Sequence, residues 1–327
     1  MRAQAGDISV VICAHTEARW EPLARAVASL RSQSIIPREI LVVIDHNLAL
    51  ADRACHQLRG ARVIENVQQC GISGARNSGI AAARGAIIAF LDDDAIAAPD
   101  WIAQLLAGYS SPDVLGVGGA IEPHWQGGRP RWFPEEFDWV VGCTYRGMPE
   151  APTAVRNLIG ANMSVRRAVL DALGGFRSDI GRIGTRPLGC EETELCIRAR
   201  RHWPEGSFLY DPSARVRHRV PASRASWRYF HSRCYAEGLS KALVARLADV
   251  RSGLASERAY TMRVLPRGIM RGVVEALARG DPTGLGRSAM IAAGLAVTTA
   301  GYLVGTVSRY DGEITWPSAE SARGKPP

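Results

Sequence analysis

The sequence predicts an α/β fold in which a sheet is flanked by helices. Along the first hundred residues short apolar runs alternate with helix-like segments, and polar or acidic residues follow directly after those runs. This alternation is typical of parallel strands connected by helices. The chain has 327 residues, of which 46% are hydrophobic and 22% charged, so it can bury a full core.

Four apolar runs predict strands, and the segments between them predict helices. We expect strands at Ile8–Cys13, Ile40–Ile44, Arg62–Ile64 and Ala86–Leu91, and helices near Arg19–Ser32, Ala49–Leu58 and Gly74–Ala83. In a sheet of this kind the ligand crevice lies outside the carboxyl ends of the strands. Residues that directly follow a strand are therefore the first candidates for a functional site.

Polar and acidic residues follow three of these strands. Thr16 and Glu17 follow the first, Asp45 follows the second, and the run Asp92–Asp94 follows the fourth. Three adjacent carboxylates repel one another, and a divalent metal that carries phosphate oxygens would compensate them. An isolated acidic run is more often a solvated turn. Asp45 is consistent either with a hydrogen bond to a base or ribose or with a cap.

The start of the third helix is a further candidate site. Arg76 lies there among small residues, and a helix N-terminus with an arginine suits a phosphate or a base. A capped helix that packs closely on the sheet has the same pattern. A dinucleotide site would need G-x-G-x-x-G after the first strand, and Cys13–Ala18 contains no glycine, so hydride transfer is disfavoured.

Other candidates lie farther along the chain. Glu191 and Glu192 open a predicted helix with a basic end, where acids are stabilised by the helix dipole even without a catalytic role. Asn162 could contact a substrate or cap a turn. His218, at the end of a strand, is consistent with a metal ligand or a structural residue. Arg233 lies in an aromatic, basic helix that could bind phosphate or face water.

The segment 122–153 is rich in aromatic residues, proline and glycine. Its aromatic residues include Trp125, Trp132, Phe133 and Trp139. Such a segment could stack on sugar faces, seat a lipid chain, or form a small hydrophobic cluster under a loop.

The net charge indicates which classes of partner are favoured, and the cysteine pattern indicates the redox compartment. The net charge of +8 favours acidic partners such as nucleotide phosphates, anionic lipid or nucleic acid. The seven cysteines are scattered without a C-x-x-C pair, which predicts reduced thiols. The N-terminal residues lack a signal-peptide pattern, which predicts a protein that is not exported.

The last eighty residues change in composition. Residues 264–279 mix apolar side chains with arginines, as an interfacial amphipathic helix does. Residues 288–308 carry no charge and match the roughly 20 residues needed to span a bilayer. Their alanine, glycine and threonine content is equally consistent with a helix that lies on the domain or on the membrane surface. Residues 317–327 are expected to be disordered.

Six short motifs follow one another along the chain, at Ile8–Ile12, Val42–Asp45, Ala75–Gly79, Phe90–Asp94, Gly160–Arg167 and Cys190–Leu195. In this order they resemble the family 2 glycosyltransferases of the GT-A fold, over about residues 7–240. The chain is similar in particular to membrane-associated transferases that extend polyprenyl-phosphate-linked or cell-surface glycans. Each motif alone is weak, but their joint order is specific.

The resemblance implies a mixed GT-A sheet and an inverting hexosyltransferase. Residues 1–120 would be the nucleotide-sugar-binding half, 121–240 the acceptor-binding half, and 241–316 a C-terminal helical region that associates with membrane. The donor would be a UDP- or GDP-linked sugar, and the acceptor a glycan or polyprenyl-phosphate-linked hydroxyl. The enzyme would work at the cytoplasmic side of the cell membrane, with no nucleic acid as partner.

The resemblance also implies roles for individual residues. Donor-binding residues would be Thr16, Glu17, Asp45, Arg76, Asp92 and Asp93. A divalent metal, Mg²⁺ or Mn²⁺, would be bound by Asp94, Asp92 and His218. Glu192 would be the general base, with Glu191 as the alternative because the family more often has Glu-Asp. Asn162 and Arg233 would lie on the acceptor or phosphate side.

Two other functions remain open from the sequence. A sugar nucleotidyltransferase could use a similar sheet and metal-binding acids, but it would carry a glycine-rich, basic loop after the first strand, which this chain lacks. A non-catalytic, membrane-tethered glycan-binding protein would account for the tryptophans and the C-terminal segment, but it would not require acids at several strand ends.

Overall fold

The computed structural model describes residues 6–181, 188–247 and 259–307. Its strands are β1 (Ile8–Ala14), β2 (Glu39–Ile44), β3 (Arg62–Glu65), β4 (Ile87–Asp92), β5 (Ala95–Ala97), β6 (Val114–Trp125), β7 (Thr153–Val155), β8 (Asn162–Arg166) and β9 (Ser207–Val220). Its α-helices are α1 (Trp20–Arg31), α2 (Leu48–Gln57), α3 (Ile72–Ala82), α4 (Trp101–Gly108), α5 (Arg167–Leu173), α6 (Glu191–His202), α7 (Trp227–Leu247), α8 (Leu265–Arg279) and α9 (Thr283–Val307). The four strands and three helices predicted for the first hundred residues are confirmed.

The strands form one mixed sheet in the order β3-β2-β1-β4-β8-β6-β9-β5, and β7 pairs with β9. The first four strands in this order are parallel to one another. Strand β8 is antiparallel to both of its neighbours, β4 and β6. The carboxyl ends of β1, β2 and β4 therefore meet at one edge of the sheet, as the sequence predicts for its acidic residues.

Helices cover both faces of the sheet because the strand residues alternate in direction. Ile8, Val10 and Ile12 of β1 pack on one face with α1, α2 and α4, whereas Val11 packs on the other face with α3, α5 and α6. This alternation follows from the two-residue repeat of a strand. Burial on both faces explains why the strands read as continuous apolar runs.

The C-terminal helix α9 packs against α7, and α8 packs against α9. Gly301 of α9 lies so close to α7 that a Cβ atom there would be 2.2 Å from the carbonyl oxygen of Tyr235. Helix α7 runs without interruption through residue 240, where the sequence suggests a boundary. By length and composition, α9 is the one helix in the described part of the chain that could cross a membrane. The predicted tail, 317–327, lies outside the described residues.

Candidate active site

A cavity of about 1130 Å³ lies at the carboxyl ends of β1, β2 and β4. Six acidic residues line it: Asp45, Asp92, Asp93, Glu191, Glu192 and Glu237. Helices α6 and α7 and the C-terminal helices form its other walls. The volume exceeds the range of about 300–1,000 Å³ that is usual for small-molecule sites.

The residues of the acidic run occupy different environments. Asp92 ends β4 and its side chain is 34% exposed, whereas Asp93 and Asp94 lie in the following turn and are buried. Arg19 donates a hydrogen bond of 2.8 Å to Oδ1 of Asp93. Burial and the neighbouring Asp94 charge raise the pKa of Asp93 to about 7, against the opposing charge of Arg19. Oδ2 of Asp93 is buried without a hydrogen-bond partner among the described residues.

Asp94 is surrounded by basic side chains. Its carboxylate lies 3.0 Å from Nε2 of His218, 3.4 Å from Nη1 of Arg19 and 3.7 Å from Nη2 of Arg224. Burial alone would raise the pKa of Asp94, but these three groups outweigh it and hold the pKa well below its usual range. Asp94 is therefore an ionised carboxylate inside the protein. It does not face water as a residue of a solvated turn would.

Asp92, Asp94 and His218 have the donor set of a divalent-metal site. One ligand atom from each lies within 4.8 Å of the others, which is within reach of one ion whose bonds to oxygen are about 2.0–2.6 Å long. Two carboxylates and an imidazole suit Mn²⁺, and carboxylates suit Mg²⁺. The buried, unpartnered oxygen of Asp93 next to this cluster also fits a positive charge there.

Arg76 links the acidic run to the glutamate pair. Its buried guanidinium donates a 2.8 Å hydrogen bond from Nη1 to Oε1 of Glu191, and its Nη2 lies 4.0 Å from Oδ1 of Asp92. Gly160 makes room for it, because a Cβ atom at that position would be 2.5 Å from Nη2. The structure thus places Arg76 inside the protein as a bridge between two acidic groups, where the sequence led us to expect a donor-binding cation.

Glu191 and Glu192 are adjacent in sequence but differ in their contacts. Glu191 is held in the ion pair with Arg76, whereas Glu192, half-buried at the start of α6, forms no ion pair with any residue that the structure describes. Burial raises the pKa of Glu192 well above its usual range, and the Glu191 charge adds to the increase, while Arg76 opposes it. A carboxylate with a raised pKa that faces a cavity is suited to accept a proton.

Asp45 lines the cavity and joins β2 to the start of α3. Its carboxylate accepts hydrogen bonds from Nδ2 of Asn66 at 2.6 Å and from the backbone N–H of Gly71 at 2.9 Å. These bonds fix the carboxylate at the sheet edge and leave it acceptor capacity for a ligand.

Five of the expected site residues do not line the cavity: Thr16, Glu17, Asp94, Asn162 and His218. Thr16 caps the short 3₁₀ helix Glu17–Arg19, and neither Thr16 nor Glu17 lines the cavity, so the loop after β1 contributes His15 and Arg19 in their place. Asn162 is fully buried: it accepts from Nε1 of Trp101 and donates to the carbonyls of Ala120 and Ala214. Its amide is used inside the core, which corrects the expectation of a contact on the acceptor side.

The wall opposite the sheet edge comes from α7 and the C-terminal helices. Arg233, Glu237 and Lys241 lie one turn apart on α7, and all three line the cavity. No motif in the sequence predicts a site role for the C-terminal residues of this wall, which include Tyr260, Arg263, Arg267, Leu295 and Tyr302. The mixed apolar and basic pattern of 264–279 indicates an amphipathic helix, but it does not specify which face of that helix lines the cavity.

Some residues of the aromatic segment 122–153 pack in a hydrophobic cluster, and another lines the cavity. Trp125, Trp132 and Phe133 pack with one another, and Trp132 and Phe133 contact Phe230 of α7. These residues form a hydrophobic cluster. Trp139 instead lines the cavity, and its Nε1 lies 3.2 Å from the hydroxyl of Tyr260.

Comparison with known proteins identifies related chains. A family model described as "Glycosyl transferase family 2" matches residues 9–174. The glucosyl-dolichyl phosphate glucuronosyltransferase of Haloferax volcanii is 35% identical over 238 residues, which are 72% of this chain and 76% of that protein. The succinoglycan biosynthesis protein ExoM of Rhizobium meliloti is 26% identical over 276 residues, which cover 77% of this chain and 84% of ExoM.

A solved structure has a similar fold. It is the mannosyltransferase PcManGT of Pyrobaculum calidifontis in complex with GDP-Man and Mn²⁺, with a TM-score of 0.59 and 16% sequence identity, covering 92% of this chain and 88% of that one. At this level of identity the likeness concerns the fold, and it agrees with the GT-A sheet predicted from the sequence.

Proposed function

This chain belongs to glycosyl transferase family 2 and is a glycosyltransferase, and from that premise we propose that it moves a sugar from a nucleotide-diphospho donor to an acceptor hydroxyl with inversion at the anomeric carbon. One observation carries the proposal. Asp92 and the proton acceptor Glu192 line one cavity, Asp94 and His218 lie within ligand distance of Asp92, and Arg76 bridges Asp92 and Glu191.

The sheet edge is the donor side of the proposed reaction. Asp45 holds the base or ribose of a UDP- or GDP-linked sugar, and Asp93 contacts the ribose or the sugar. Both residues line the cavity. Asp92, Asp94 and His218 would hold Mg²⁺ or Mn²⁺. Such an ion, when bound, neutralises the charge that develops on the diphosphate as it leaves. The mannosyltransferase structure with GDP-Man and Mn²⁺ supports this class of donor and cofactor.

Glu192 is the general base on the acceptor side. Its carboxylate takes the proton of the acceptor hydroxyl while the hydroxyl oxygen bonds to the anomeric carbon and the bond from that carbon to the diphosphate oxygen breaks. A single displacement of this kind inverts the anomeric configuration. Glu191 is unsuited to the role because its charge is already compensated by Arg76 at 2.8 Å.

The acceptor is, on this proposal, a lipid-linked glycan at the cytoplasmic face of the membrane. Two observations support it: the name of the Haloferax volcanii relative includes a dolichyl phosphate sugar, and α9 has the length and composition of a membrane helix. We also keep the division into a donor half, 1–120, an acceptor half, 121–240, and a C-terminal region, 241–316, as a working proposal.

Replacement of the base tests the proposal directly. Glu192→Gln keeps the shape of the side chain and removes its ability to take a proton, so kcat is expected to fall about 10²–10⁴-fold. Glu194→Gln is the matched control, because Glu194 lies on the same helix, is paired with Arg198 and does not line the cavity. The control should retain kcat even where its thermal stability decreases.

The measurement is sugar transfer from UDP- and GDP-sugars to membrane extract, with donor binding followed in parallel. Glu192→Gln should still bind the nucleotide diphosphate with Mn²⁺, because Glu192 is on the acceptor side. If Glu192→Gln transfers sugar as fast as the unmodified enzyme, Glu192 is not the base and the proposal fails.

A further inference from the structure

We propose that the cavity wall formed by the turn Tyr260–Val264, by α8 and by α9 is the seat of a lipid phosphate, with Arg263 and Arg267 bound to the phosphate and the hydrocarbon lying on apolar side chains beside them. The inference rests on the proposed function and deepens it, because it assigns the lipid part of the acceptor to residues after 240. The family model matches residues 9–174, so it does not include them.

Arg263 and Arg267 are cations without a charged partner in the part of the chain that the structure describes. Both line the cavity and both are exposed. Neither forms an ion pair or a hydrogen bond with any residue in the described ranges. The other basic residues around the cavity differ in this respect: Arg19 is paired with Asp93, and Arg76 with Glu191. Two adjacent guanidinium groups at a cavity mouth suit a phosphate, which can accept bidentate hydrogen bonds from arginine.

Apolar side chains flank these two arginines inside the cavity. Val264, Leu295 and Tyr302 line the same wall as Arg263 and Arg267. A soluble sugar nucleotide or a free glycan has no hydrocarbon for such a wall, whereas a lipid phosphate has both a charged head and an apolar chain. The wall therefore complements the two parts of one ligand.

The apolar surface continues outside the cavity along α8. Met270, Val274 and Leu277 follow Arg267 at intervals of three or four residues, so these four lie along one face of α8, and Arg263 lies just before it in Tyr260–Val264. Met270 is 61% exposed and Leu277 is 82% exposed. This face leads from the arginines to the outer surface and gives a long hydrocarbon chain a path towards the membrane.

The opposite wall of the cavity carries the catalytic groups. Glu192 lines the same cavity as the two arginines, so a sugar linked to the lipid phosphate would extend from the arginines towards the base. The hydrocarbon would point the other way, along α8. This orientation places the acceptor hydroxyl on the reaction side and the chain on the membrane side.

Equilibrium binding of small lipid phosphates to the full chain tests the inference without any sugar transfer. The probes are farnesyl phosphate, farnesol, dimethylallyl phosphate and inorganic phosphate, and the signal is tryptophan fluorescence, because Trp139 lines the cavity. Farnesyl phosphate should bind at least about 10-fold more tightly than each of the other three, since only it has both the charge and the chain. Equal affinity for farnesol, dimethylallyl phosphate or inorganic phosphate would overturn the inference.

Variants separate this site from general charge effects. Arg263→Gln combined with Arg267→Gln should weaken farnesyl phosphate binding at least about 10-fold and leave farnesol binding unchanged. Arg279→Gln is the matched control, because Arg279 is an exposed arginine at the end of α8 that does not line the cavity. An equal loss in Arg279→Gln, or no loss in the double variant, would refute the assignment.

Donor binding distinguishes a failure here from a failure of the proposed function. The double variant should bind nucleotide diphosphate and Mn²⁺ as the unmodified chain does, because the arginines are on the opposite wall. If the transferase proposal fails in the Glu192→Gln test while farnesyl phosphate binding requires the two arginines, the lipid-phosphate site stands alone. If instead Glu192→Gln loses transfer while farnesyl phosphate binding does not require the two arginines, the lipid-phosphate site is refuted and the transferase proposal stands.

Discussion

The sheet edge and the C-terminal helices differ in how their charged side chains are paired. At the sheet edge, Asp93 and Asp94 are buried and each has cationic partners within the protein. On the C-terminal side, Arg263 and Arg267 are exposed and have no such partner among the described residues, and exposed apolar residues lie next to them. A buried charge is stable only when it is paired, so the sheet edge is assembled before any ligand arrives. On the C-terminal wall, the two arginines would be paired by the phosphate of the proposed lipid ligand.

The largest effect is expected from Asp94→Asn, which removes a paired, buried charge from the sheet edge. The change removes the carboxylate that faces His218, Arg19 and Arg224, so Mn²⁺-dependent stabilisation by UDP or GDP should disappear. Loss of one partner of a buried charge pair should also lower the free energy of unfolding by about 3–5 kcal/mol. Thermal unfolding with and without Mn²⁺ and nucleotide measures both effects.

A milder variant separates metal binding from folding. Asp92 is more exposed than Asp94, so Asp92→Asn should weaken the Mn²⁺ effect with little change in stability without metal. Asp52→Asn, at an exposed position on α2, should change neither. A nucleotide response to Mn²⁺ that survives both Asp94→Asn and Asp92→Asn would place the metal elsewhere.

The pH dependence of transfer should reflect the raised pKa of Glu192. A general base works only when ionised, so kcat/KM should fall as the pH drops through this pKa. Because burial and Glu191 raise it, the fall should occur well above the ordinary glutamate value of about 4.3. Glu191→Gln removes one repelling charge and should move the fall to lower pH, as measured by rate profiles at saturating metal. An unchanged profile would mean that another group limits the acid side.

The smallest expected effect concerns how α9 is held. Gly301→Ala would place a methyl group 2.2 Å from the carbonyl of Tyr235, so it should lower the free energy of unfolding by about 1–3 kcal/mol. Gly286 of α9 has open space around it, and Gly286→Ala should stabilise the chain by up to about 1 kcal/mol through helix propensity. Chemical denaturation measures both. If Gly301→Ala is also stabilising, α9 does not stay packed on α7.

Much of the sheet and part of the site follow from the sequence. The strand ends and the acids after them were predictable because apolar runs mark buried strands, and parallel strands align their carboxyl ends. His218 was a candidate from its strand end, and the structure brings it to Asp92 and Asp94. Thr16 and Glu17 were candidates on the same ground, but the short 3₁₀ helix after β1 turns Arg19 towards the acids in their place.

The chain by itself determines the α/β fold, the family and the presence of acids at the sheet edge, because these depend on local periodicity and on motif order. Only the tertiary structure decides which acid does what. Arg76 and Glu191 are 115 residues apart in the chain and 2.8 Å apart in space, and that contact supports Glu192 as the proposed base, since Glu192 has no ion pair within the described ranges. Charge compensation acts through space over a few ångströms, so roles set by it cannot be read from neighbours in sequence.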